Sequence, residues 1–160
     1  MYLYCRIYDA SLLAPIIMHF TVFTDYAFRV LIYLALDPER RVTINDIATS
    51  YGISKNHLMK VVNLLAKEGI VTASRGANGG LILSKPADEI MVSEIVRLTE
   101  DSFRPVECFR PDNQCIISPA CGWKVVLGEA LQAFNDVLAK YSVQDLIEKK
   151  VQLKKLLYST

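Results

Sequence analysis

The chain has 160 residues, of which 52% are hydrophobic and 22% are charged. This composition can form a hydrophobic core for one domain, with or without a small extension, and it excludes a globally disordered chain. The net charge is only +1, so total charge does not indicate a nucleic-acid-binding protein. Lys and Arg outnumber Asp and Glu in residues 18–86, whereas acidic residues are in excess in residues 87–160. The N-terminal half would therefore tolerate a polyanion better.

The first 17 residues show no clear periodicity, and their apolar run is short and interrupted by Pro15. A secretory signal would need a basic start and a longer apolar core. No apolar run in the chain reaches the length of a transmembrane helix. We therefore interpret residues 1–17 as an extension outside the fold, with an ordinary N-terminal arm as the alternative. We expect a cytoplasmic protein with no membrane partner.

Three helices are predicted in residues 18–86. Thr24 and Asp25 can cap the first helix, which runs to about Leu36 because apolar residues recur there at helical spacing. The second helix is short and begins at Thr43 with a capping-box pattern. It is joined to the third by a turn that contains glycine, which is the signature of a helix-turn-helix unit.

The third helix is predicted to begin after Ser54 and to carry polar residues on the outer face of its first turns. In helix-turn-helix proteins these positions reach the edges of the bases. Asn can read adenine, and Lys can read guanine or bind phosphate. The predicted DNA-contacting residues of this helix are Ser54, Lys55, Asn56, His57 and Lys60. For His57, a solvated surface position is the alternative.

Two short strands are predicted at residues 70–73 and 81–83, with a glycine-rich segment between them. Three glycines and an Asn provide the positive φ angles that a hairpin tip requires. We interpret this hairpin as a wing with Arg75 at its base, because an Arg on a wing commonly enters the minor groove. A phosphate-binding loop is the alternative, but no Lys-Ser/Thr pair follows the glycines and no helix begins there.

Residues 87–160 are interpreted as the sensing and pairing region. A short strand is predicted at residues 90–92, followed by a helix that Ser93 caps. The apolar stripe of a long helix from Gly122 to Lys140 needs a large partner surface. A second copy of the chain is the economical partner, and packing against the winged domain of the same chain is the alternative.

A final helix is expected to start at Ser142. The lysine-rich tail from Glu148 to Lys155 is expected to fray.

Three cysteines, Cys108, Cys115 and Cys121, are separated by six and then five residues in a segment with Pro, Asp and Asn, which favour a loop. Three thiolates from one loop suit a soft metal or an iron–sulfur cluster and leave one coordination position open. A disulfide would leave one cysteine over, and structural zinc usually shows a Cys-x2-Cys pair that is absent here. Bare thiols that respond to oxidation are a further alternative. Cys5 lies in the N-terminal extension and is excluded from the site.

These stretches together resemble the IscR/NsrR family of bacterial winged-helix iron–sulfur regulators. The resemblance rests on four segments and covers residues 18–148. The segments are Phe23-Thr24-Asp25-Tyr26-Ala27, Arg75-Gly76-Ala77-Asn78-Gly79-Gly80-Leu81, Ile90-Met91-Val92 and the three-cysteine loop. The fold expected is mainly α-helical, a winged helix-turn-helix followed by a long dimerisation helix. The chain is not expected to be an enzyme.

Within this family the chain is most similar to the nitric-oxide-sensing repressors. Regulators of iron–sulfur assembly have a His three residues after the third cysteine, where this chain has Lys124. In the nitric-oxide sensors an Asp from the partner subunit can complete the coordination, and Asp25 matches its position. The resemblance therefore implies Cys108, Cys115, Cys121 and Asp25 as ligands of a [4Fe–4S] cluster, with [2Fe–2S] as the alternative.

The implied function is a homodimeric repressor that binds a palindromic operator in double-stranded DNA. Nitrosylation of its cluster would release it from the DNA. The alternative functions are a regulator of iron–sulfur cluster supply and a redox or thiol sensor with the same fold.

Overall fold

The computed structural model describes residues 19–74, 76, 79–100 and 106–158. The predicted extension of residues 1–17 and the wing residue Arg75 therefore lie outside the described residues. The fold is mainly α-helical with one two-stranded antiparallel sheet, which confirms the predicted fold class. No helix in the described part of the chain is long and apolar enough to cross a membrane.

The elements follow one another in a simple order. The helices are α1 (Val22–Ala35), α2 (Ile44–Tyr51), α3 (Lys55–Lys67), α4 (Val92–Thr99), α5 (Gly122–Leu138) and α6 (Lys150–Tyr158). The strands, which lie between α3 and α4, are β1 (Val71–Ser74) and β2 (Gly80–Leu83). Short 3-10 turns occupy Ala87–Glu89, Glu107–Phe109, Ser118–Ala120 and Asp145–Ile147.

Helix α1 lies at the centre of the core, where it packs against α3, α4 and β2. It begins earlier than predicted, because Thr21 is its N-cap and accepts a hydrogen bond from the backbone N–H of Thr24. The prediction that Thr24 and Asp25 cap this helix is therefore wrong. Thr24 is buried inside the first turn, and Asp25 is exposed there.

The helix-turn-helix unit follows its local sequence signals closely. Thr43 caps α2 with the predicted capping box, in which the Asp46 carboxylate accepts from the Thr43 backbone N–H at 2.8 Å. Gly52 ends α2 with a φ of 64°, a left-handed conformation that glycine adopts without strain. Ser54 occupies the N-cap position of α3, but its side chain makes no capping hydrogen bond.

The wing is a hairpin whose two strands pair from Val71 with Leu83 to Ser74 with Gly80. The segment before α2 pairs with β2 at one point, because Val42 and Leu81 exchange backbone hydrogen bonds of 3.3 and 2.8 Å. The base of the wing is thus attached to the segment that starts the helix-turn-helix unit.

The region after the wing differs from the sequence prediction. The expected strand at residues 90–92 is reduced to one isolated bridge between Met91 and Ser142. Helix α4 begins at Val92, and Ser93 lies inside its first turn, buried and without a capping role. The strand and the serine cap were both wrong: this segment pairs with the distant residue Ser142 through one bridge, and Met91 rather than Ser93 is the N-cap residue of α4.

A carboxylate ties the start of α1 to the end of α4. Oε1 of Glu100 accepts hydrogen bonds from the backbone N–H of Thr21 at 2.7 Å and from the Thr21 hydroxyl at 2.9 Å. The Thr24 hydroxyl also donates to this oxygen. The same hydroxyl lies 2.8 Å from the Thr99 hydroxyl. Partial burial raises the pKa of Glu100, but the hydrogen bonds from Thr24 and Thr21 outweigh it and hold the pKa below its ordinary value of 4.5.

The C-terminal segment departs from both sequence predictions: the final helix begins at Lys150 rather than Ser142, and the lysine-rich tail lies largely within it instead of fraying. It forms α6, whose Leu157 is buried and whose Tyr158 ring meets the Tyr33 ring edge-on at 5.4 Å. The Arg40 guanidinium lies 5.0 Å from the Tyr158 ring centre, and Lys154 pairs with Asp37 at 3.7 Å. The lysines indicated a solvated tail, but the apolar residues between them give α6 one face that packs against the N-terminal domain.

We predict that Leu157→Ala lowers the free energy of unfolding by about 2–4 kcal/mol, because the buried side chain leaves a cavity. The matched control is Leu156→Ala, since Leu156 is 76% exposed and Leu157 is 8% exposed. The control should change stability by no more than about 0.5 kcal/mol. Urea unfolding of both variants measures the difference. Equal stability of the two variants would mean that α6 is not docked in solution.

We also predict that Glu100→Gln costs about 1–2 kcal/mol at neutral pH, because hydrogen bonds to an ionised acceptor are stronger than those to a neutral one. The folded-state pKa of Glu100 is depressed below 4.5. The contribution of the carboxylate is therefore present above that value and is lost as the pH falls through the folded-state pKa.

The difference in unfolding free energy between wild type and Glu100→Gln should consequently shrink in acid. Urea titrations along a pH series measure it. Glu89→Gln is the control, because Glu89 is exposed. A difference that stays constant down to the lowest pH would show that the carboxylate charge is not the cause.

Candidate DNA interface and cysteine segment

The predicted DNA-contacting residues of α3 lie together on one exposed surface. The side chains of Leu58, Val61, Val62 and Leu65 point into the core. All five predicted residues are exposed at the start of the helix: Ser54, Lys55, Asn56, His57 and Lys60. Met59 lies among them and is 42% exposed. The sixth predicted contact, Arg75, lies outside the described residues.

A group of rings joins the start of α3 to α1 and α2. The rings of Tyr26 and His57 are 6.2 Å apart. The Arg29 guanidinium lies 5.9 Å from the Tyr26 ring centre and 5.5 Å from that of Tyr51. Burial raises the pKa of Tyr51 to about 12, although the positive charge of Arg29 opposes the shift. Tyr51 therefore remains a neutral ring between two helices at physiological pH.

The predicted ligand Asp25 lies in the first turn of α1 and forms an ion pair with Arg29 at 2.9 Å. Its side chain is 51% exposed, so one face of the carboxylate is accessible. The cavity beside it is otherwise mainly apolar. It is lined by Phe20, Thr24, Phe28, Val92, Val96, Leu138 and Leu146.

The three predicted cysteine ligands lie between α4 and α5, and all are free and half-buried. Cys108 is in a 3-10 turn, and Cys121 is the N-cap residue of α5. The backbone N–H of Cys115 donates to the Asn113 side chain at 3.0 Å. Two contacts attach the segment to α5. Phe109 lies beside Gly128, and the Lys124 ammonium donates to the Ser118 hydroxyl at 3.2 Å.

The donor chemistry of this segment fits an iron–sulfur cluster, because three thiols without a disulfide can provide three soft thiolate ligands. The geometry of the single chain does not bring the predicted ligands together. Among the described residues, no group of three or more His, Cys, Asp or Glu side chains is close enough to hold a metal ion. The four predicted ligands therefore remain a hypothesis based on chemistry and position.

Two polar residues near these sites were missed by the sequence analysis. Arg29 could have been found, because it follows Asp25 by four residues and such pairs face each other on a helix. Glu100 has no local signal, since its partners Thr21 and Thr24 precede it by 79 and 76 residues.

Comparison with known proteins identifies the family. The Rrf2 family, described as iron-dependent transcriptional regulators, matches residues 20–149. The chain is similar to the "HTH-type transcriptional regulator NsrR" of Bacillus licheniformis, with 51% identity over 88% of this chain and 99% of the relative. The protein of the same name from Bacillus subtilis is 49% identical over 88% of this chain and 97% of its own length.

Solved structures show the same fold. The oxidised form of Staphylococcus aureus CymR has a TM-score of 0.65 and 26% identity, and the match covers 82% of this chain and 97% of that one. The IscR of T. potens has a TM-score of 0.67 and 24% identity, with 82% and 88% of the two chains covered. The relatives are transcriptional regulators, so the prediction that the chain is not an enzyme is confirmed. The chain belongs to the Rrf2 family of winged-helix transcriptional regulators.

Proposed function

We propose that this regulator is a cytoplasmic repressor that responds to nitric oxide. It would bind palindromic operator DNA as a homodimer. The observation that carries the proposal is the set of three free cysteines in one segment between α4 and α5. The chain is also 51% and 49% identical to two relatives named NsrR over nearly their whole length. The proposed signal is nitric oxide, which would release the protein from DNA.

The proposed ligands are Cys108, Cys115 and Cys121 from one chain and Asp25 from a second copy. They would hold a [4Fe–4S] cluster, with [2Fe–2S] as the alternative. Such a cluster would provide iron able to react with nitric oxide, and the iron held by Asp25 would be the most open to it, because carboxylate is a harder and weaker ligand for iron than thiolate. The exposure of Asp25 supports its assignment, because its free face is accessible from outside the chain.

The contacts of Asp25 support a route from the cysteine segment to the DNA-reading helix. Asp25 holds Arg29, Arg29 lies against the Tyr26 and Tyr51 rings, and Tyr26 lies against His57 at the start of α3. When Asp25 binds the cluster of the partner subunit, its hold on Arg29 would change, and nitrosylation of the cluster would reverse that change. The rings that support the start of α3 would then shift.

A small shift of this kind is enough to control DNA binding. A palindromic site fixes the distance between the two recognition helices, so a displaced helix loses contacts in one half-site. A 100-fold loss of affinity requires only about 2.7 kcal/mol. One or two lost base contacts, worth about 1–3 kcal/mol each, would supply it.

The surface of α5 supports the homodimer. None of its residues is fully buried. An exposed apolar stripe runs along it at heptad-like spacing, with residues Trp123, Val126, Ala130, Ala133 and Val137. Gln132 and Asp136, which hydrogen-bond to each other at 2.7 Å, lie on a neighbouring polar face. This arrangement is typical of a helix that packs against a second copy.

We predict that anaerobically purified protein absorbs visible light and that alanine at Cys108, Cys115 or Cys121 abolishes this absorbance. Cys5→Ala is the control and should keep it. Full absorbance in Cys115→Ala would disprove the three-thiolate site. Absorption and metal analysis of the wild type would also distinguish a cluster from zinc or from bare thiols.

The same spectra test Asp25. Asp25→Ala should alter the spectrum and the reaction with nitric oxide while leaving the fold intact. Asp37→Ala is the control, since Asp37 pairs with Lys154 at the other end of α1. A dimer of one Asp25→Ala chain and one Cys108→Ala chain then tests sharing between subunits. Ligation in trans leaves one site whole, whereas ligation within one chain damages both sites.

We predict that Val126→Lys weakens the dimer by at least about tenfold, because a buried valine contributes about 1.5–3 kcal/mol. Gln132→Lys adds the same charge on the polar face and should leave the dimer intact. Light scattering over a range of micromolar concentrations measures the mass. A monomeric wild-type protein would contradict the proposed homodimer.

A further inference from the structure

Arg41 lies at the base of the wing, although it belongs to the segment before α2. Its Nη1 atom donates a hydrogen bond to the Ser74 hydroxyl at 2.7 Å. That hydroxyl in turn donates to the Gly80 carbonyl oxygen at 3.3 Å. Ser74 and Gly80 are the last pair of the hairpin before its tip. The guanidinium of Arg41 therefore lies where the wing leaves the body of the protein.

The backbone of Gly80 makes room for this arrangement. A Cβ atom at Gly80 would lie 3.1 Å from the Cβ of Arg41 and 3.1 Å from the carbonyl oxygen of Val42. Such contacts are tighter than ordinary van der Waals packing. The Val42 bridge to Leu81 fixes the neighbouring backbone. Glycine at this position thus leaves room for Arg41, whose guanidinium reaches Ser74.

The charge of Arg41 is not neutralised by a described carboxylate. The ion pairs found among the described residues involve Arg29, Lys85 and Lys154. Arg41 is exposed and bonds only to a neutral hydroxyl in that part of the chain. A guanidinium has five N–H donors. One donor can hold Ser74 while others remain for an anion, and phosphate accepts such bonds well.

The neighbouring Arg40 differs in both position and partner. Its guanidinium lies 5.0 Å from the Tyr158 ring centre on α6, so it is engaged at the C-terminal helix. Arg40 and Arg41 are adjacent and carry the same charge. Substitutions at these two residues therefore separate a local effect at the wing from a general effect of net charge.

We propose that Arg41 binds a phosphate of the DNA backbone at the base of the wing, while its bond to Ser74 fixes the wing beside that phosphate. Contacts to phosphate set the position of a protein on DNA, whereas base contacts give specificity. Arg41 is thus a positioning contact for the wing, in addition to the α3 residues. The inference rests on the docking face proposed above, which comprises the start of α3 and the wing.

The experiment measures DNA affinity as a function of salt. The probe is the labelled duplex that the wild-type protein enriches from a random-sequence library. Affinity falls with salt, and each phosphate contact adds about 0.9 to the magnitude of the negative slope of log affinity against log salt concentration. Arg41→Gln should weaken binding and reduce the magnitude of this slope by about 0.9. Arg40→Gln, the matched control, should leave the slope unchanged.

Two further variants separate a phosphate contact from a structural brace. Arg41→Lys keeps the charge and should keep the wild-type slope. Ser74→Ala removes the bond that holds Arg41 to the wing, so it should weaken binding. Because it keeps the charge of Arg41, the slope should stay at the wild-type value. An unchanged slope in Arg41→Gln would overturn the proposal, as would an equal reduction in Arg40→Gln and Arg41→Gln. Thermal melting of each variant confirms that folded proteins are compared.

Lys60→Ala distinguishes failure of this inference from failure of the docking face. If Lys60→Ala weakens binding and Arg41→Gln leaves the slope unchanged, only the role of Arg41 is wrong. If neither variant alters affinity or slope, the face formed by α3 and the wing is not the one that meets DNA, and both proposals fail.

Discussion

The hydrogen bonds of Glu100 set the geometry on which the rest of the structure depends. One carboxylate oxygen holds the start of α1, through Thr21 and Thr24, to the end of α4. The negative charge also faces the N-terminus of α1, where a helix dipole favours an anion. Since α1 forms the centre of the core, this tie fixes the end of α4 relative to the winged domain.

Helix α1 links the two candidate sites because different faces of it serve different purposes. Its apolar face fills the core. Its first turns carry Asp25 and Arg29, and the Tyr26 ring reaches the start of α3. In the proposed regulator, a force applied to Asp25 would act on the helix that also supports the exposed start of α3. If the protein binds DNA as the proposed homodimer, a small displacement of α3 would be enough to weaken binding, because the spacing of the half-sites is fixed.

Sequence reasoning succeeded where the cause of a structure is local. The capping box at Thr43, the turn at Gly52 and the exposed face of α3 depend on residues within one or two helical turns. It failed where the cause is distant. A bridge to the distant Ser142 replaces the expected strand, whereas Thr21 rather than Thr24 caps α1 through a local bond that was misassigned by one helical turn. The docking of α6 was hidden by its lysines. Whether the cysteines converge depends on loop conformation, which no local pattern encodes.

Among the six described α-helices, the cysteine segment is attached to α5, the one without a buried residue. Phe109 lies beside Gly128, and Lys124 holds Ser118, so the segment rests on the first half of α5. The opposite side of α5 exposes an apolar stripe. A helix of this kind gains much of its stability from tertiary packing. In the proposed homodimer, pairing of α5 would therefore order the cysteine segment, and a change in that segment would act on the dimer as well as on α1. The two recognition helices would then be coupled through the subunit interface and not through either chain alone.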